Sequence, residues 1–104
     1  MRLDEAANCL EALGSSHRLG IYRLLVESGV DGLPVGQIKD RLGLPGSTLS
    51  HHIAKLVNQG LVNQQRESRN LICCCNYKLM DELIGFLTEN CCQGSDCFDA
   101  AEHE

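Results

Sequence analysis

Two short stretches with helical apolar spacing, joined by a glycine-bounded turn, constrain the fold of this chain most. In VGQIKDRLG and in STLSHHIAKLVNQ, apolar residues recur every three or four positions, which predicts two amphipathic helices. Gly43 to Gly46 predict the turn between them, Ser47 is placed to cap the second helix, and Gly60 to end it. Two helices joined so tightly predict a helix-turn-helix, whose second helix enters the major groove of DNA.

The flanking segments predict three further helices and a hairpin. Helical spacing predicts a helix over residues 3–13 and a second one that Ser15 or Ser16 caps. LVNQQRE and RNLICCCNY predict two strands joined by a turn near Glu67 and Ser68, and KLMDELIGFLTEN returns to helical spacing. The predicted fold is mainly α with a β-hairpin wing, a winged helix-turn-helix. Apolar faces on the first and last helices predict a dimer; the alternative is that both cover a monomer core.

The start of the second motif helix supplies most of the predicted DNA contacts. Its first residues are small or mid-sized hydrogen-bonding groups opposite the apolar face, as base reading requires. The hairpin adds two arginines placed to clamp phosphate or probe the minor groove. The predicted DNA-binding residues are Gln37, Ser47, Thr48, Ser50, His51, His52, Arg66 and Arg69.

Each of these residues also has a plainer interpretation. Ser47 can be a helix cap without a base contact, and Arg66 and Arg69 can form a solvated turn. His51 and His52 are adjacent on a helix and cannot hold one metal ion together, and His52 is the one expected to pack against the preceding helix.

Charge is distributed unevenly along the chain. The net charge of -5 argues against nucleic-acid binding as an average. Residues 35–80, however, carry six basic and two acidic side chains, whereas residues 81–104 carry seven acids and no Lys or Arg. Such separation allows one face to meet phosphate while another stays away from it.

The length of 104 residues suffices for one domain. We expect a repressor domain over residues 1–98 and a short acidic tail at 99–104 without fixed structure. The first residues include acids and no apolar run, which predicts no signal peptide, and no segment approaches the length of a membrane span. We therefore expect a cytoplasmic protein whose seven cysteines stay reduced.

LGSSHRLGIYRLLVESG and LPVGQIKDRLGLPGSTLSHHIAKLVNQGLVNQQRESR together resemble the arsenical-resistance-repressor (ArsR) family of metal-sensing winged helix-turn-helix repressors. The strongest match is STLSHHIAKLVNQGLV, where the family has a Ser-x-x-Ser-x-His helix followed by Gly-Leu-Val at the start of the wing. The resemblance extends from about Leu3 to Cys97. It implies a homodimer, formed through the first and last helices, that binds an imperfect inverted repeat of operator DNA and no membrane.

Three cysteines in ENCCQGSDCF are the predicted inducer ligands. LPVGQIKD lacks the Cys-x-Cys pair of one family site, and KLMDELIGFLTEN lacks the histidine of another. A subset of the family resembles this chain in its Thr-Glu-Asn-Cys-Cys ending with a further cysteine, which implies Cys91, Cys92 and Cys97 as ligands. Soft thiolates select thiophilic ions. Trivalent arsenic takes three sulfurs, so As(III), or Sb(III), is the expected inducer.

Other ions and other cysteines are alternatives to this site. Zinc or cadmium is the alternative inducer, with Asp96 or His103 as a fourth ligand. Residues 73–75 are expected to be structural, because neighbouring side chains on a strand point to opposite faces and cannot all converge on one ion. Cys9, on the first predicted helix, is expected to lie in the core or the dimer interface.

Two other classes of function are alternatives for this chain: a thiol-redox or arsenate-reducing enzyme, and a protein-interaction winged helix. The chain has no Cys-x-x-Cys, no phosphate-binding glycine loop and no cysteine at the start of a predicted helix. We therefore predict a non-enzymatic repressor, without enzymatic cofactor, that binds its operator in the metal-free form and is released by arsenite or antimonite.

Overall fold

A computed structural model describes residues 1–92 of the chain. This part consists of five helices and three strands in the order of a winged helix. The helices are α1 (Leu3–Leu13), α2 (Ser16–Ser28), α3 (Val35–Leu42), α4 (Gly46–Asn58) and α5 (Tyr77–Thr88). The strands are β1 (Leu33–Pro34), β2 (Val62–Glu67) and β3 (Asn70–Cys75). Cys97, the domain limit at residue 98 and the tail at 99–104 lie outside the described residues.

The sheet has β3 at its centre, paired antiparallel with β2 on one side and β1 on the other. The predicted hairpin is confirmed, and Ser68 takes a positive φ of 60° in its turn. β1 was not predicted, because the glycines and proline of GVDGLP indicated only a turn. Leu33 pairs with Cys73 and Pro34 with Ile72. Pro34 is tolerated because β1 is an edge strand, where a missing N–H costs little.

α4 begins two residues earlier than a cap at Ser47 predicts. Pro45, at φ -60° and ψ 147°, occupies the N-cap position and makes no side-chain capping hydrogen bond. Ser47 lies inside the first turn with an exposed side chain. The prediction that Ser47 caps this helix is therefore wrong, and its hydroxyl is not engaged in capping.

α5 is held at its start by two neighbouring helices. The Asn76 side chain accepts a hydrogen bond from the Leu79 N–H and donates one of 2.8 Å to the Gly60 carbonyl just after α4. The Tyr77 hydroxyl donates to the Val26 carbonyl near the end of α2, at 2.8 Å. Movement of α5 is thus mechanically linked to both α2 and α4.

α5 ends at Thr88, so KLMDELIGFLTEN is helical for a shorter length than predicted. Asn90 and Cys92 have φ values of 60° and 61°, which are incompatible with a continuing right-handed helix. Cys91 and Cys92 therefore lie in a turn beyond α5. Among the described residues, no helix combines the length and the apolar character needed to cross a bilayer.

One apolar core lies between the helices and the sheet. Its fully buried side chains come from α2, α3, α4, β2, β3 and the residue before β2: Ile21, Leu25, Ile38, Leu49, Leu56, Leu61, Val62 and Cys73. Cys9 and Cys75 are also buried in this cluster, whereas Cys74, on the other face of β3, is half-buried. These positions agree with the expectation that Cys9, Cys73 and Cys75 fill the core.

Gly32 is the glycine on which β1 depends. It has φ +70°, and a Cβ at this position would overlap the carbonyl oxygen of Cys73. Gly43 has a similar φ of +66° but open space around it. We expect Gly43→Ala to cost about 1–2 kcal/mol of unfolding free energy, the usual penalty for an L-residue with left-handed backbone. Gly32→Ala should cost more, because the overlap adds to the same penalty. Urea denaturation of both variants measures this, and equal losses would contradict the close approach.

Candidate DNA-binding site

α4 has one buried and one exposed face. Leu49, Ile53 and Leu56 are 0%, 2% and 0% exposed and anchor the helix in the core. Residues at the complementary three- and four-residue spacing share the opposite face, since helical side chains recur with that period. The exposed residues of this reading face are Ser47, Ser50, His51 and Ala54.

The remaining predicted contact residues occupy different positions. Gln37 on α3, Arg66 on β2 and Arg69 in the hairpin turn are exposed, whereas Thr48 is half-buried. His52 is half-buried and directed towards α2, not towards the preceding helix α3 as predicted. Its Nδ1 lies 3.4 Å from Nη1 of Arg18.

The reading face and the wing meet at a cleft of about 420 Å³. Ser50 and Ala54 of α4 line it together with Arg69 from the hairpin turn and Gln64 of β2. The fold thus brings predicted helix and wing residues to one opening. Ala54 was not predicted because it has no hydrogen-bonding group, although its four-residue spacing from Ser50 was visible. An alanine methyl can contact the methyl group of thymine.

Basic side chains near this surface are not neutralised by other side chains within residues 1–92. Within residues 1–92, one ion pair forms, between Arg2 and Asp4 at the start of α1, with Nη2 of Arg2 2.9 Å from Oδ2 of Asp4. The basic residues of the motif and wing make no ion pair in this part of the chain: Lys39, Arg41, Lys55, Arg66 and Arg69. Their charges can therefore replace the counterions of DNA phosphates.

The thiols differ in burial and in chemistry. Burial raises the pKa values of Cys9, Cys73 and Cys75. Their sulfurs are enclosed in the core and are not accessible to an ion in solvent. Cys91 and Cys92 are exposed, and their Sγ atoms lie 3.4 Å apart in a hydrogen bond. This hydrogen bond, reinforced by charge interaction with Cys92, raises the pKa of Cys91.

A complete ligand set is not formed within the described part of the chain. Residues 1–92 contain no group of three or more His, Cys, Asp or Glu side chains arranged to hold a metal ion. The structure thus brings Cys91 and Cys92 together, and Cys97, the third predicted ligand, lies outside the described residues.

A buried helix face, an outward face of small polar residues and a basic wing define a winged helix-turn-helix DNA-binding protein. Residues 13–65 match the helix-turn-helix domain family. The transcriptional activator HlyU of Vibrio cholerae is 31% identical over 91 residues, covering 88% of this chain and 82% of HlyU. The chain belongs to the helix-turn-helix transcriptional regulators.

Solved structures agree with this assignment. The transcriptional repressor BigR from Xylella fastidiosa has a TM-score of 0.68 and 26% identity, covering 88% of this chain and 90% of BigR. An ArsR-like transcriptional regulator from Rhodococcus sp. RHA1 reaches a TM-score of 0.71 over 81% of this chain and 76% of its own; at 20% identity it supports the fold alone. The relatives are transcriptional regulators, which confirms that the chain is not an enzyme.

The reading face and the wing should contribute differently to DNA binding. Ser50→Ala or His51→Ala should cost about 1–3 kcal/mol at a preferred site and relax sequence preference, because base contacts are lost. Arg66→Ala or Arg69→Ala should weaken all duplexes similarly and flatten the salt dependence, because phosphate contacts are lost.

The measurement is fluorescence anisotropy over a series of salt concentrations, with a duplex selected from a randomised pool by the parent chain. Lys78→Ala is the control. Lys78 is also an exposed basic side chain, but it lies on α5 and not on the reading face or the wing. Parent-like affinity and selectivity in both the Ser50 and His51 variants would show that another surface reads the DNA.

Proposed function

We propose that the protein is a homodimeric repressor that binds operator DNA without inducer and is released when arsenite or antimonite binds Cys91, Cys92 and Cys97. The observation that carries this proposal is the exposed pair of thiols, 3.4 Å apart, directly after α5. BigR is named a repressor and HlyU an activator. The resemblance of the motif to the arsenical-resistance repressors favours repression here.

The spacing of the two sulfurs suits one thiophilic ion. Bonds from a metal ion to sulfur of about 2.3 Å allow two sulfurs on one ion to lie up to about 4.6 Å apart. The observed 3.4 Å lies within that limit. Cys97 is the proposed third ligand, five residues further along the sequence than Cys92.

Protonated thiols are the appropriate form for arsenous acid. Three As–O bonds break and three As–S bonds form, and the three thiol protons leave with the hydroxyl groups as water, while arsenic stays trivalent. The raised pKa of Cys91 keeps its proton in place at neutral pH, so the reaction releases no net acid. Zinc or cadmium must instead displace protons from the thiols, so their binding weakens as pH falls.

Exposed apolar residues support the proposed dimer. Four large aliphatic side chains on two neighbouring helices are between 43% and 75% exposed: Leu3 and Leu10 on α1, and Ile84 and Leu87 on α5. Such a group of exposed apolar side chains is typical of a protein–protein interface. A second copy covering them would place the thiol pair beside the dimer interface.

This position gives the inducer a route to the DNA. An ion that orders the turn after α5 would displace α5, which Asn76 and Tyr77 link to Gly60 and Val26. The two reading helices of the dimer would then lose their spacing on the inverted repeat. A coupling of about 1–3 kcal/mol would weaken DNA binding about 5–150-fold.

A charge on the exposed face of α5 should dissociate the dimer. Leu87 is 56% exposed in the single chain, so Leu87→Glu should spare its fold and leave an unpaired charge in the interface. Leu83 on the same helix is 6% exposed, and a charge there would damage the core instead. Val30→Glu is the matched control, because Val30 is apolar and 82% exposed but lies between α2 and β1.

Sedimentation velocity at micromolar concentration measures the assembly. The parent and Val30→Glu should be dimers and Leu87→Glu a monomer. A monomeric parent would remove the dimer and the inverted-repeat operator from the proposal.

Loss of any one of the three proposed ligand thiols should abolish induction and spare DNA binding. Cys91→Ser, Cys92→Ser and Cys97→Ser should each bind the selected duplex as the parent does and fail to leave it with arsenite. Cys74→Ser is the control, since Cys74 is half-buried on the sheet and should release normally. Arsenite release should change little between about pH 6 and 8, below the ordinary thiol range, whereas cadmium release should weaken as pH falls.

Normal arsenite release from a chain with all three substitutions would contradict the site. Release by cadmium and not by arsenite would identify the alternative inducer and retain the thiol site.

A further inference from the structure

Arg18 joins three helices through one guanidinium group. It lies in the first turn of α2, and its Nε donates a hydrogen bond to the carbonyl oxygen of Ala12 near the end of α1. Its Nη1 lies 3.4 Å from Nδ1 of His52 on α4. The same side chain thus contacts the helix proposed for dimerisation and the helix that carries the reading face.

The guanidinium of Arg18 lies at the C-terminal end of α1, where a positive charge is favourable. The last turn of α1 contains no basic residue, and the final carbonyl groups of a helix carry partial negative charge. A guanidinium bonded to Ala12 satisfies one of these carbonyls and opposes that charge. Arg18 is therefore held in position independently of His52.

The contact requires a neutral His52. Arginine has donors and no acceptor, so Nδ1 of His52 must accept the hydrogen bond and its proton must be on Nε2. A protonated imidazole has only donors, and its charge would lie beside the guanidinium. The geometry itself therefore specifies which protonation state of His52 joins α4 to α2.

Within residues 1–92, the charged or titratable groups acting on His52 are all basic. The His17 ring of α2 meets it edge-on with centroids 5.4 Å apart, and the His51 ring of α4 lies at 6.0 Å. Burial, followed by Arg18 and then by His17, His51 and Lys55, lowers the pKa of His52. No carboxylate of residues 1–92 is among these groups.

We infer that Arg18 is a positioning residue that holds the reading helix through neutral His52, so that protonation of His52 uncouples α4 from α1 and α2 and weakens DNA binding. This effect of pH requires neither the inducer nor the proposed ligands Cys91, Cys92 and Cys97. It requires DNA binding by α4 but not the proposed response to arsenite.

The sign of the pH effect follows from the lowered pKa. Below the ordinary value of 6.5, the unfolded chain binds a proton at this histidine before the folded chain does. The contribution of His52 to stability is therefore complete above that value and is lost as pH falls towards the lower folded value. Binding of the selected duplex should follow the same course.

The test compares His52→Asn with the parent between about pH 5 and 8, the range in which histidine titrates. Asparagine retains an oxygen near the position of Nδ1 but does not titrate. On acidification the parent should lose at least about fivefold more affinity for the selected duplex than His52→Asn does, the lower end of typical coupling. His17→Asn is the control that removes a neighbouring histidine without removing the Arg18 contact, and it should retain the acid-dependent loss.

Histidine NMR supplies a readout that does not depend on DNA. The His52 pKa of the DNA-free parent should lie below the ordinary histidine value of 6.5, and Arg18→Gln should raise it; circular dichroism at each pH confirms that the chains remain folded. Identical pH profiles for the parent and His52→Asn, or a His52 pKa that Arg18→Gln leaves unchanged, would overturn the inference. A parent that binds no duplex while His52 titrates as expected would count against the DNA-binding role of α4 instead.

Discussion

Burial of one face of α4 is the constraint on which the rest of the structure depends. Leu49, Ile53 and Leu56 are almost completely removed from water, and each such side chain contributes about 1.5–3 kcal/mol of hydrophobic stabilisation. Because helical side chains recur every 3.6 residues, anchoring these three leaves Ser50 and His51 directed outwards. The surface available for reading DNA is thus a consequence of core packing.

The contacts around this helix connect it to the ends of the fold. Arg18 bridges the end of α1 to His52, while Asn76 connects Gly60, two residues after α4, to the start of α5. In the proposed dimer, both α1 and α5 would form the interface. A change at the interface would therefore reach the reading helix at its middle through Arg18 and just beyond its C-terminal end through Asn76.

Periodicity and turn residues were enough to predict the five helices and the hairpin, because the apolar spacing in α4 and in α5 is strong. β1 was missed because two residues have no period, and Leu33 becomes a strand residue only by pairing with Cys73. The contact between Arg18 and His52 spans 34 positions of sequence, and no local pattern encodes it. The outward direction of Ser50 was predictable from Leu49 and Ile53, whereas the cleft it shares with Arg69 depends on how the wing packs.

X-ray absorption at the arsenic edge of the arsenite-loaded chain tests the central claim most directly, namely that the thiols after α5 are the inducer site. One arsenic per chain with three sulfur neighbours and no remaining oxygen is the predicted result, since Cys91 and Cys92 already lie 3.4 Å apart and Cys97 would complete the shell. An oxygen-bound arsenic, or a three-sulfur shell that persists after Cys91, Cys92 and Cys97 are all replaced by serine, would contradict it.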